Sequence, residues 1–274
     1  HSTIFSQNFD WQITIEIANN QHVTPALWSS LVRRKLTEYV PPHVSDYLHQ
    51  VHRLNTFRNL NLKAQVIQIV QQLNEVGVEP VLLKGSASLF IKTFDNDIGS
   101  RVMLDVDMLV PPELADESWR SLLKLGYLPI ENNHINYLQH HHLKPAYRPG
   151  SCGLIEIHRS VLSKELEKFL PTTLFRENTY QIPSKSFVLS VLNPSYRILH
   201  NLLHSYVEDR AYSRGDIPLR ALHELSSIQT RYSSNVDWEA IKDSVEQAGQ
   251  GKVLLAALCQ AHRLFGCHLP ESTK

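Results

Sequence analysis

A chain of 274 residues carrying 27 Lys plus Arg against 27 Asp plus Glu has no net formal charge. That balance supplies no basic stripe for a long nucleic acid to neutralise, and 42% hydrophobic residues exclude wholesale disorder. Cys152, Cys259 and Cys267 form an odd set without metal-ligand spacing, no apolar run approaches a membrane span, and the first residues do not read as a signal peptide. A reducing, cytoplasmic setting is the economical expectation.

The first third reads as helical. Pro25 sits just inside a helix start after Thr24, with Leu27, Leu31 and Leu36 as its apolar positions, and Pro41-Pro42 interrupts that element. From His43 to Val76, Val44, Leu48, Val51, Leu54, Val66, Ile69, Val70 and Leu73 keep helical spacing. Asn59 and Asn61 mark a possible break, so one long or two consecutive helices are expected, closed by Gly77.

Val78 to Lys84 reads as a strand. Ala87 to Phe94 reads as a short helix entered through Gly85-Ser86, followed by a polar loop over 95–100. Val102 to Val110 is a second strand, Glu113 to Leu125 a helix, and Tyr127–Ile130, Ile135–Leu143 and Leu154–His158 are three further strands. This order suits a small mixed sheet with helices on one side. Pro194–Tyr206, Pro218–Tyr232, Trp238–Gln247 and Lys252–Phe265 read as helices that pack into a helical domain, with Trp238 as an aromatic anchor after Asp237.

Chemistry concentrates on the second strand. Side chains alternate along a strand, so Met103, Asp105, Asp107 and Leu109 share one face, and Leu104, Val106, Met108 and Val110 form a wholly apolar one. Two carboxylates at that spacing repel until a cation joins them. Leu154-Ile155-Glu156-Ile157-His158 alternates in the same way, and a neighbouring strand would bring Glu156 to the pair as a third ligand. Such hard oxygen ligands suit Mg²⁺, with Mn²⁺ as the alternative. Gly85 would let amides approach a phosphate, and Ser86 would donate its hydroxyl or cap the helix that follows. Lys84 would offset phosphate charge or pair with Asp105 or Asp107, and Arg101 would reach a phosphate or Asp97. The pattern is not a P-loop.

These residues resemble the nucleotidyltransferase fold superfamily to which DNA polymerase beta belongs, whose signature is a Gly-Ser turn, a strand with two alternating acids, and a later strand with a third. The Lys84-Gly85-Ser86 turn, Arg101, and the Asp105-Val106-Asp107 strand are similar to a bacterial family described only as nucleotidyltransferases, in which a later acidic-x-His element, here Glu156-Ile157-His158, also occurs. Glu156 stands where Asp is common in the superfamily. The resemblance spans Val78 to His158 and extends more loosely to His200, His204 and Arg220.

It implies an α+β fold with a small mixed nucleotidyltransferase-type sheet. An N-terminal helical region over 1–77, a core over 78–185 and a C-terminal helical domain over 186–274 are expected. It implies transfer of a nucleoside monophosphate from an NTP, ATP being the first choice, to a small-molecule or protein acceptor, with release of pyrophosphate. Asp105, Asp107 and Glu156 would be catalytic and metal-binding; Lys84, Gly85, Ser86, Arg101 and His158 would face the nucleotide. Two other functions compete: a non-catalytic nucleotide-binding module of the same fold, and a metal-dependent phosphohydrolase.

The remaining histidines are ambiguous. In an extended strand only His140 and His142 of His140-His141-His142 could converge, with His158 joining them, so a zinc site is disfavoured against ordinary hydrogen bonding. His142, Lys144 and Arg148 could form a basic rim near the nucleotide. His200 and His204 share a helical face and are expected to pack or hydrogen-bond at the junction with the sheet. The charged loop of Asp209, Arg210, Arg214 and Asp216 could border the acceptor cleft.

Overall fold

A computed structural model describes residues 9–131, 136–137 and 140–271. The helices α1 (Trp11–Asn20), α2 (Thr24–Arg33) and α3 (Pro42–Glu75) lead into β1 (Val81–Leu82), β2 (Asp105–Leu109), α4 (Ala115–Lys124), β3 (Leu128–Pro129), β4 (Ala146–Tyr147) and β5 (Leu154–His158). Then come α5 (Lys164–Glu167), α6 (Thr172–Glu177), β6 (Thr179–Gln181), β7 (Ser190–Leu192) and α7 (Pro194–Leu202), followed by α8 (Ala211–Arg214), α9 (Leu219–Arg231), α10 (Trp238–Gln247) and α11 (Gly251–Phe265). Among the described residues the strands form one mixed sheet in the order β3-β4-β5-β2-β1-β7-β6. The neighbours β2 and β5 are parallel, as are β1 and β7, while β1 and β2 run antiparallel.

The expected α+β fold is observed, with helices on both faces rather than one. Leu62, Val66, Ile69 and Leu73 of α3 bury against Leu82, Val106, Met108, Ile155 and Ile157. The alternate residues Val81, Leu83 and Leu109 instead join α7, α9, α10 and α11 in a second core. The two-residue alternation of β1 and β2 thus divides the sheet between two helical layers. Leu104 departs from the apolar face expected of it, since it lies ahead of the ladder and is 52% exposed.

Pro41 and Pro42 start a helix instead of merely ending one, with Pro42 at the first helical position, where a missing N–H costs nothing. α3 then runs unbroken for 34 residues through Asn59 and Asn61, and Gly77 follows it at φ +76. Asn59 is fully buried, and its amide donates to the carbonyls of Ile98 at 2.7 Å and Arg101 at 2.8 Å. One turn earlier, Asn55 donates to Gly99 at 2.6 Å and Arg101 at 3.0 Å. Asn59, an apparent helix breaker, is therefore together with Asn55 the clamp that holds the loop leading into β2, whereas Asn61 donates to Phe57 O of its own helix. The backbone approaches α3 so closely that a Cβ at Gly99 would overlap Thr56 Oγ1 and lie 2.8 Å from His52 Nε2. His52 and Ser29 also bind Asp97, which draws that carboxylate away from Arg101.

The predicted strand over 78–84 shortens to Val81–Leu82, because Lys84 turns the chain at φ +48. The helix expected over 87–94 is a 3₁₀ segment over Lys84–Leu89. β5 and α10 coincide with their predicted spans, whereas β6 and β7 had no clear signal in the sequence. The predicted strand over 135–143 lies partly outside the described residues; within it, His142 makes a single antiparallel bridge to His158.

Candidate active site

The parallel register of β2 and β5 sets Asp105 against Leu154, Asp107 against Glu156, and Leu109 against His158. Glu156 thereby reaches the acidic face of β2, as its alternation suggested. Oxygens of Asp107 and Glu156 and a ring nitrogen of His158 all lie within 4.8 Å of one another. His158 Nε2 is 2.9 Å from Asp107 Oδ1 and 3.6 Å from Glu156 Oε2. Asp105 lies on the same strand face, one alternation away, but outside that tightest group.

The turn after β1 delivers Lys84 to this cluster. Its Nζ is 2.8 Å from Asp107 Oδ1, and the left-handed backbone at residue 84 costs about 1 kcal/mol for a residue with a Cβ. The unusual φ sits on Lys84 and not on Gly85. Space is tight at position 85 instead: a Cβ there would lie 3.1 Å from Met103 Cγ and 3.2 Å from Arg101 Nη2, so either side chain would have to give by a few tenths of an ångström. Ser86 is fully buried and donates its hydroxyl to the carbonyls of Leu83 and Asp107, which ties the turn to β2 and caps no helix.

Electrostatics separate the acids. Burial and the charge of Asp107 both push Asp105 above the usual carboxylate range. Burial acts the same way on Asp107, but Lys84 and His158 outweigh it and hold that carboxyl well below. Glu156 is also lowered, its burial outweighed by the nearby His158 ring and, to a lesser degree, by His142. For His158 burial favours the neutral ring, and Asp107 and Glu156 reverse that and raise it.

Beside the acids, a cavity of about 70 Å³ is lined by Lys84, Arg101, Arg197, His200, His204, Asp209, Arg220 and Glu224, among others. The loosely implicated His200, His204 and Arg220 thus do meet the Lys84 turn. Arg101 donates from Nε to Glu224 at 3.2 Å, and Arg197 Nη2 lies 3.5 Å from the other oxygen of Glu224. Arg101 therefore pairs with a helix acid, not with Asp97. Arg197 Nε and Nη1 and His200 Nε2 are buried without a hydrogen-bond partner among the described residues. His204 pairs with Asp209 at 3.2 Å. These helix residues were only partly foreseen; Glu224 and Arg197 carry no local motif and look like ordinary charged positions on amphipathic helices.

The basic rim expected from Lys144 and Arg148 does not form. Lys144 pairs with Glu131 at 2.7 Å, and Arg148 lies over the Tyr127 ring and donates to Leu125 O. The histidine run behaves differently from an extended strand as well: the chain bends, and ring nitrogens of His140, His141 and His142 all fall within 4.8 Å of one another. Among the described residues, no helix is long and apolar enough to cross a membrane.

A family model described as "Uncharacterised nucleotidyltransferase" matches residues 7–266 of the chain. Among solved structures, an antigenic nucleotidyltransferase-like protein from Paracoccidioides brasiliensis is similar at 13% identity and a TM-score of 0.46, over 74% of this chain and 92% of that one. No curated protein matches the chain.

Proposed function

We propose, for a chain that belongs to the family of uncharacterised nucleotidyltransferases, that β2 and β5 carry the site of a divalent-cation-dependent nucleotidyl transfer. An acceptor hydroxyl would attack the α-phosphorus of an NTP and pass its proton to Glu156, a new oxygen–phosphorus bond would form, and the bond to the departing pyrophosphate would break. The observation that carries this reading is the register that sets Asp107 beside Glu156, next to a cavity lined by Lys84, Arg101 and Arg220. Acids gather on one side and cations on the other, as a metal–triphosphate requires.

The donor set fits a divalent ion. Asp107, Glu156 and His158 already converge, and Asp105 stands on the same face of β2. When bound, the ion would polarise the phosphate and lower the pKa of the acceptor hydroxyl. Mg²⁺ is the first candidate and Mn²⁺ the second. Asp105, Asp107 and Glu156 would hold it, and His158 would fix the orientation of Asp107 from its buried side. Lys84, now on Asp107, has the flexible stem to shift onto a phosphate oxygen. Arg220 is half-buried and feels the charges of Arg101, Asp105, Glu224 and Asp209; it would take a non-bridging phosphate oxygen. Gly85 and Ser86 would shape the turn beneath the phosphates, and Arg101 would brace it. ATP is the first co-substrate to test, and a small molecule or a protein hydroxyl the acceptor class.

The experiment is incubation with Mg²⁺ or Mn²⁺ and each α-labelled NTP, with release of pyrophosphate and transfer of label as readouts. Pyrophosphate with label on an acceptor is the expected result. Phosphate release alone would point to a phosphohydrolase. Nucleotide binding without turnover would favour a non-catalytic module, a reading supported by one observation: Asp107 is already neutralised by Lys84 and His158.

A further inference from the structure

His140, His141 and His142 are absorbed by none of the roles above. Their geometry is fixed from the main chain: Arg159 N–H donates to His141 O at 2.8 Å, and Leu143 N–H donates to Ile157 O at 2.8 Å, so the bend is tied to both sides of the end of β5. The ring centroids of His140 lie 4.2 Å from His141 and 4.1 Å from His142, and His141 and His142 are 4.9 Å apart. Such crowding sets ring nitrogens of three imidazoles within 4.8 Å of one another.

We propose that His140, His141 and His142 bind a nitrogen-preferring divalent transition ion of the zinc type, at a site adjacent to the carboxylate centre but separate from it. Three ring nitrogens within 4.8 Å of one another need only small rotations to meet a common ion. His142 is prepared for this. Its Nδ1 lies 2.6 Å from Leu143 O, an oxygen that can only accept, so Nδ1 carries the proton and Nε2 keeps its lone pair. His140 is less committed: His142 N–H approaches its Nδ1 at a long 3.5 Å, a contact an ion could replace.

Imidazole nitrogens select zinc-like ions over Mg²⁺, which asks for oxygen. Glu156 Oε2 lies 3.8 Å from His142 Nε2 and 3.6 Å from His158 Nε2, and so stands between the histidine group and the carboxylate group. His140 and His141 also line an open cleft of about 690 Å³ shared with Ser163, Lys164, Glu208 and Arg210. An ion on the histidines would therefore sit on the wall of a cleft large enough for a small-molecule or peptide ligand. This inference does not rest on nucleotidyl transfer.

The test uses the full chain stripped with chelator and titrated with Co²⁺ as a spectroscopic substitute for zinc, alongside equilibrium dialysis against Zn²⁺. Visible bands of nitrogen-ligated Co²⁺ and one tight Zn²⁺ per chain are expected. The double variant His140→Asn/His141→Asn should lose the bands and weaken Zn²⁺ binding at least 10-fold, while Asp107→Asn keeps both. Equal binding by the double variant and the wild type would overturn the site, as would loss of the bands in Asp107→Asn alone. Should the double variant not fold, imidazole nitrogen resonances of the wild type decide: shifts of His140, His141 and His142 on adding Zn²⁺ support the site, and unchanged shifts refute it. Pyrophosphate release is measured separately, so either proposal can fail without the other.

Discussion

Two buried acids in this protein are each held between two cations, and they do different work. Glu224 lies between Arg101 and Arg197, and Asp107 lies between Lys84 and His158. The partners of Glu224 are arginines, permanently charged, and together with Arg220 they outnumber it. The partners of Asp107 can lose protons, and two more acids, Asp105 and Glu156, share its face of the sheet. One region therefore retains an excess of positive charge and the other an excess of negative charge, with a cavity lined by Lys84, Arg101, Arg220 and Glu224 beside them. On the function proposed above, a metal-bound phosphate would satisfy both at once. The first cluster is closed by its own arginines, and the second leaves its acids under-compensated.

The sharpest way to break that comparison is Asp107→Asn. Nucleotidyl transfer should fall by roughly 10²–10³-fold, the scale of losing one charged group that stabilises a transition state. Activity within twofold of the wild type would remove Asp107 from the reaction. Glu224→Gln should do the converse. It leaves Arg101 and Arg197 buried without their counter-charge and should cost about 3 kcal/mol in urea unfolding. Asp107 and Glu224 would then differ in kind and not merely in degree. Between them stands Arg220→Gln, which should weaken nucleotide binding about 10-fold, the loss expected for one charge-assisted hydrogen bond. Unchanged affinity in isothermal titration would take Arg220 out of the phosphate site.

The acid side of this comparison was legible in the chain itself. Strict alternation in Asp105-Val106-Asp107 and in Leu154–His158 fixed which side chains share a face, and β5 formed over the residues that alternation marked. The cation side was harder to read. Glu224 and Arg197 are single charged residues on helices, and nothing local distinguishes a buried charge from a solvated one. Asn59 was ambiguous for the same reason: a polar residue within an apolar repeat reads as a break, unless a carbonyl of a loop about 40 positions downstream is known to be waiting for it. The short strands β6 and β7 had no clear signal because the pairing of β7 with β1, and of the edge strand β6 with β7, carries most of their definition. The histidine run misled through a local assumption: opposite faces follow from an extended backbone, and the chain bends there.

Asparagine gives the same lesson at smaller scale within one helix. Asn59→Ala would strip two buried carbonyls of a donor and should cost about 1–2 kcal/mol. Asn61, exposed and with its side chain donating to Phe57 O of its own helix, should tolerate Ala within roughly 0.5 kcal/mol. Equal costs would mean that the clamp on the loop before β2 contributes nothing.

An effect of similar size concerns pH. Burial, with Arg101 and Arg33 nearby, holds His223 at about 4, and the ring stacks on Phe94 at 5.1 Å. Its folded value lies below the unfolded one of about 6.5, so the unfolded chain binds the proton first. The stabilising contribution is therefore complete above about pH 6.5 and is lost as pH falls toward 4. Glu224, lowered by its arginines after burial is overcome, loses its own contribution only further down, below the ordinary carboxylate range near 4.5. His158 has the opposite sign: raised by Asp107 and Glu156, it favours the folded state at low pH and ceases to do so as pH rises through its folded value. His223→Gln removes only the first of these. Urea unfolding from pH 7 to 4.5 should then show a shallower decline than the wild type, by roughly 1–2 kcal/mol across the window. An identical slope would mean that the imidazole is solvated in the folded chain, and that the positive region around Arg101 extends less far than the Glu224 cluster implies.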